Sequence, residues 1–221
     1  MRLVGPAALA ALAAGLYLAL WASPPDAFQG HYVRLMYVHV PAAWVAYLAV
    51  GVAAVASLLY LWRRRPAYDY VAHSAAELVV LFTGLALATG MIWGRPVWGV
   101  WWTWDARLVS TAILFLIYVG CLLVRGLAAD RERGARLAAV VALVGALDVP
   151  IIHFSVLWFR TLHQTASITR REVSMAPEML AALLVNLLAF ALLFLYLVAL
   201  RARLARLEAE RAEAALEPQA R

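Results

Sequence analysis

The chain has 221 residues, 66% of them hydrophobic and 14% charged, with a mean hydropathy of +0.81. A soluble domain is about 45–50% apolar, so this composition excludes one; the length allows about six spans of about 20 residues each and no separate soluble domain. The net charge of +6 comes from Arg alone, and in this background it marks span orientation, so no nucleic-acid partner is expected.

In chain order, apolar runs predict spans at Leu3–Trp21, Pro41–Trp62, Val71–Trp93, Leu108–Val124, Leu137–Ile152 and Pro177–Leu200. They are read as helices, because the runs lack a strand's alternation and lipid demands internal backbone pairing. The fold class expected is all-α integral membrane. The first run exceeds the apolar core of a signal peptide, usually about 7–15 residues, so it is read as a retained span. Cys121 lies in an apolar run and is given no redox role.

Arg sorts between the two sides. Arg2, Arg63, Arg64, Arg65, Arg125, Arg131, Arg133, Arg136, Arg201, Arg203, Arg206, Arg211 and Arg221 fall on one, and Arg34, Arg95, Arg107, Arg160, Arg170 and Arg171 on the other. The positive-inside rule puts both termini in the cytoplasm. Three outer loops follow, at 23–40, 94–107 and 153–176. Residues 1–200 read as one membrane domain and 201–221 as a charged cytoplasmic helical tail. Its Arg206–Glu210 spacing supports helix. Leu200, Leu204 and Leu207 form a narrow stripe there, read first as part of a solvated helix.

The stretch from about 93 to 110 holds Trp93, Trp98, Trp101, Trp102 and Trp104, five of the nine tryptophans. An interfacial belt would scatter Trp over all span ends, as Trp21, Trp44 and Trp62 do. Five in one loop, with Gly94, Pro96 and Gly99 shaping the backbone, predict a broad, flat, polarizable surface for a large planar ligand. Arg95 and Arg107 flank it and suit carboxylates. Asp105 at the start of the fourth span is expected to cap that helix, to touch the ligand, or both.

Of the five histidines, His73 falls at the inner end of the third span. His31, His39, His153 and His163 fall on the outer side with the tryptophans. Imidazole is a standard axial ligand of haem iron, and two from opposite loops would hold one iron from both faces. His39 precedes the second span. His163 follows Phe159 at helical spacing. His153 and His31 compete, and spacing alone does not exclude them.

These segments carry a resemblance. The run Trp93-Gly-x-x-x-Trp98-Gly-x-Trp101-Trp102-x-Trp104-Asp105-x-Arg107-Leu-x-Ser110 resembles the tryptophan-rich signature of a haem-handling membrane family. Met36-Tyr-Val-His39-Val-Pro41-Ala-Ala-Trp44 and the stretch from Val149 through Trp158 to His163-Gln164 are similar to the cytochrome c maturation protein C, or haem exporter protein C, branch. The resemblance implies haem b on axial ligands His39 and His163, with position 153 not required to be histidine. The tryptophans form the platform, and Arg95, Arg107 and Asp105 lie around it. It implies a bacterial cytoplasmic membrane protein whose site faces outward. The implied partners are a two-subunit ABC transporter, a small single-span protein and a membrane-anchored haem chaperone that receives the haem.

No nucleophile–base pair or phosphate-binding glycine loop is seen, so presentation of haem is expected rather than catalysis. A haem lyase catalysing the covalent attachment is an alternative. A b-type haem electron carrier is disfavoured, because no span interior is expected to hold His. A secondary transporter would need midplane ionisable residues, and Glu77 and Asp148 are placed near span ends.

Overall fold

A computed structural model describes residues 3–163 and 174–216. Arg2, Gln164, Arg170, Arg171 and Arg221 lie outside the described residues. The helices are α1 (Val4–Tyr17), α2 (Met36–Arg63), α3 (Pro66–Trp98), α4 (Ala106–Leu127), α5 (Arg131–Ala146), α6 (Asp148–Trp158) and α7 (Pro177–Leu216). Among the described residues extended pairing amounts to one isolated bridge, Asp26 with Gly30. Six helical stretches are long and apolar enough to cross a membrane: Val4–Ala22, His31–Arg63, Pro66–Trp98, Ala106–Leu127, Arg131–Trp158 and Pro177–Ala212. The protein is a multi-pass all-helical membrane protein, as its hydropathy demands.

Small residues let the central helices approach closely. Ala42, Ala46, Ala49 and Ala53 of α2 are buried in one cluster with Ala75, Ala76, Val79 and Phe82 of α3. Such packing matters in lipid, where burying Leu against Leu gains little over burying it in acyl chains. Helix α1 packs on α7, and the buried Asn186 Nδ2 donates to the Gly15 carbonyl at 3.0 Å. That bond satisfies a polar side chain that hydrocarbon would otherwise penalise.

Three expectations are corrected. The fifth span is two helices, not one run over Leu137–Ile152. It breaks at Leu147 because Pro150 lacks an N–H and its ring crowds the carbonyl four residues back. Asp148 therefore sits inside the Arg131–Trp158 span, with Oδ2 buried and unbonded among the described residues, and Glu77 lies within α3. Second, helices run past the apolar runs. A 3-10 turn over His31–Leu35 leads into α2, which continues through Pro41, so His39 is helical; His73 and His153 also lie inside helices. Third, α3 extends to Trp98, taking Trp93, Arg95 and Pro96 out of the loop. Gly99 ends it at φ +80°, a conformation costly for any side chain, with its N–H on the Arg95 carbonyl.

The arginine-rich end is tied by ion pairs. Arg125 grips Asp69 through two bonds of 2.5 and 2.7 Å, and Arg201 reaches Glu77 at 2.5 Å. A cavity of about 330 Å³ opens there, lined by His73, Arg125, Arg131 and Glu208 among others.

Candidate haem site

Short connections put the end of α3, the starts of α2 and α4 and the end of α6 at one end of the bundle. His39 lies early in α2 and turns toward α3. Its Nδ1 lies 3.0 Å from the Ala86 carbonyl and 3.1 Å from Thr89 Oγ1. A carbonyl only accepts, and the Thr89 hydroxyl itself donates to Leu85 O at 2.7 Å. Nδ1 is therefore the protonated nitrogen, and the Nε2 lone pair is free to coordinate. The indole of Trp93 meets this imidazole edge-on, with centroids 5.7 Å apart. Trp93 Nε1 in turn donates to Gln29 Oε1 at 2.9 Å, tying the first loop to the end of α3.

His163 arrives from the other direction. Helix α6 closes at Trp158, where the Phe159 N–H bonds Ser155 O, and Phe159 is extended. The helical pairing of Phe159 with His163 expected from spacing is thus not formed. The Thr161 hydroxyl instead accepts the His163 backbone N–H at 3.1 Å, a local turn that competes with helix. The His163 ring stands edge-on to Trp98, with centroids 4.9 Å apart. Its Nδ1 is 3.1 Å from Thr161 Oγ1 and 3.4 Å from Asp105 Oδ2.

Asp105 performs the cap expected of it, accepting the Leu108 N–H at 3.0 Å. Its second oxygen takes the Thr103 hydroxyl at 2.8 Å and faces His163. Burial alone would raise the Asp105 pKa, but these donors and the His163 ring hold it below the usual carboxylate range. Burial pushes the His163 pKa below the ordinary imidazole value, against the pull of Asp105. That shift favours the neutral ring, the form that coordinates a metal.

Trp93 and Trp98 are five residues apart on one helix, about 7.5 Å of rise, so both rings gather at the same helix end. Arg107 donates to the His153 carbonyl at 3.2 Å, while its buried Nε has no partner among the described residues. Trp102 Nε1 is likewise buried and, among the described residues, unbonded, and Trp102 packs edge-on to Trp104. Trp101 and Trp104 are 58% and 85% exposed, an open aromatic face. Arg95 is drawn to the Gly99 carbonyl at 2.5 Å, at the rim.

The competitors fare differently. His31 and His153 are both exposed, and His153 packs against its neighbour Phe154. His73 sits at the opposite end of α3 beside Glu77. The supporting residues Gln29, Ala86, Thr89, Thr103 and Thr161 were not singled out by sequence. Thr103 and Thr161 each stand two positions before a candidate residue, which is a usable signal. Ala86 and Thr89 offered none.

An aromatic face at a membrane-helix end, with one imidazole set edge-on to each of two of its indoles, defines the class: a polytopic membrane protein with an aromatic, histidine-bearing end. The chain belongs to the Heme exporter protein C family, whose model matches residues 1–217. It is 48% identical over 198 residues to the Heme exporter protein C of Bradyrhizobium diazoefficiens, covering 88% of this chain and 75% of that one. It is 42% identical over 168 residues to a ccmC-like mitochondrial protein of Marchantia polymorpha whose name refers to cytochrome c biosynthesis, covering 76% and 71%. Identity to the Heme exporter protein C of Escherichia coli K12 is 39% over 182 residues, covering 82% and 73%. Membership makes haem handling in cytochrome c biogenesis the protein's role.

Proposed function

We propose that this protein holds haem b between His39 and His163 at the outer face of the bacterial cytoplasmic membrane and delivers it to a membrane-anchored haem chaperone. The observation that carries the reading is the pairing of each imidazole with an indole of the α3 terminus, His39 with Trp93 and His163 with Trp98. Haem supplies the iron that the two Nε2 atoms bind. The protein's own residues orient the rings, cover the macrocycle and offset the propionate charge, which is costly to bury unpaired.

Trp101, Trp102 and Trp104 extend the apolar face. Arg107, whose Nε is unbonded among the described residues, is the first propionate partner, and Arg95 at the rim is the second. The open side of this face suits a chaperone approaching from outside. Residues 1–200 form the haem-handling domain and 201–221 a charged cytoplasmic tail, and the protein works with the ABC transporter subunits and a small single-span partner. The excess of arginine at the far end supports that orientation.

Purified protein loaded with haem is expected to give a six-coordinate low-spin spectrum. Replacing His39 and His163 together by Ala is expected to abolish haem retention in a protein that still folds in detergent. Retention by that double variant would refute the ligand assignment.

A further inference from the structure

The two imidazoles have unequal surroundings. His39 Nδ1 faces a neutral carbonyl and a hydroxyl, those of Ala86 and Thr89. His163 Nδ1 faces the Thr161 hydroxyl and, 3.4 Å away, the carboxylate of Asp105. That carboxylate side chain is 7% exposed, so solvent screens it little. It is anchored by the Leu108 N–H and the Thr103 hydroxyl. A carboxylate behind a ligating imidazole raises the basicity of the ring and fixes its orientation.

We infer that Asp105, acting through His163, is a positioning and charge-tuning residue that makes the His163 side the more electron-rich of two unlike ligand positions. The inference rests on the proposed ligation by His39 and His163. A richer donor favours the ferric over the ferrous ion, so Asp105 sets the oxidation state in which the site grips haem more tightly. His39, backed by neutral groups, contributes less to that preference.

The test is a potentiometric titration of haem-loaded protein, followed by its absorption and electron paramagnetic resonance spectra. Asp105→Asn keeps the helix cap, since Asn caps as well as Asp, while it removes the charge and replaces the oxygen facing His163 by an amide NH2. It is expected to stay six-coordinate, with the ferric-over-ferrous preference reduced about tenfold, a rise in midpoint of about 59 mV for one electron. Thr161→Val, which leaves the cap untouched, is expected to shift the midpoint the same way by less. Glu178→Gln removes an exposed charge near the start of α7 and sets the background shift. Midpoints in both variants no higher than that background would overturn the inference. His163→Gly separates the two ideas: loss of six-coordination supports the ligand assignment whatever Asp105 does. An unchanged His163→Gly spectrum defeats the ligand assignment, and the Asp105 inference with it.

Discussion

Gly90 of α3 faces the ring of His39, and a methyl group at Gly90 would lie 3.0 Å from His39 Cε1. Ala86 and Thr89 of the same helix hold the imidazole against α3, so it cannot retreat from Gly90 without losing its Nδ1 bonds. Gly90→Ala is therefore expected to weaken haem binding about tenfold, the scale of losing a metal ligand's support. Ala favours helix over Gly by about 1 kcal/mol, so melting in detergent should not fall. Haem titration alongside a thermal melt separates these effects, and a variant binding as tightly as wild type would contradict the packing.

The Trp93–Gln29 bond couples the first loop to the platform. Trp93→Phe and Gln29→Leu each remove one partner of the same hydrogen bond. A double-mutant cycle on haem affinity should return a coupling of about 1 kcal/mol. Additive losses would mean that the loop does not position Trp93.

Arg107 holds the backbone carbonyl of His153, not its ring. His153→Ala preserves that carbonyl and is expected to leave both the haem spectrum and affinity at wild-type levels. His163→Ala should lose the low-spin signature. The two absorption spectra, taken side by side, decide which outer histidine ligates.

Asp69 and Arg125 form a pair at the far end, 7% and 16% exposed. Asp69→Asn strands a guanidinium in a largely buried place and is expected to cost about 3 kcal/mol. The change should appear in detergent stability, with the haem spectrum of the folded fraction unaltered. An altered spectrum would mean that the two ends of the bundle are coupled.

Much of this architecture was legible without coordinates, and the reason is that its cause is local. A run such as Pro177–Leu200 is a helix in lipid because its own backbone must pair with itself. Asp105 reads as a cap because the cap bond reaches only three residues, to Leu108. The density of indoles around Trp101 and Trp102 likewise marked the candidate site from composition alone. Helix ends were less legible, since α3 runs on to Trp98 and stops where Gly99 adopts a positive φ.

What the chain's order of residues determined by itself was six spans, the aromatic end and a short roster of histidines. Tertiary structure alone decided which of them meet: His39 with Ala86 and Thr89, 47 and 50 residues away, and His163 with Asp105. Hydropathy sums over neighbours along the chain and carries no record of which way a helix is rotated. That rotation is set by small-residue packing between helices such as α2 and α3, so it exists only once the bundle has formed.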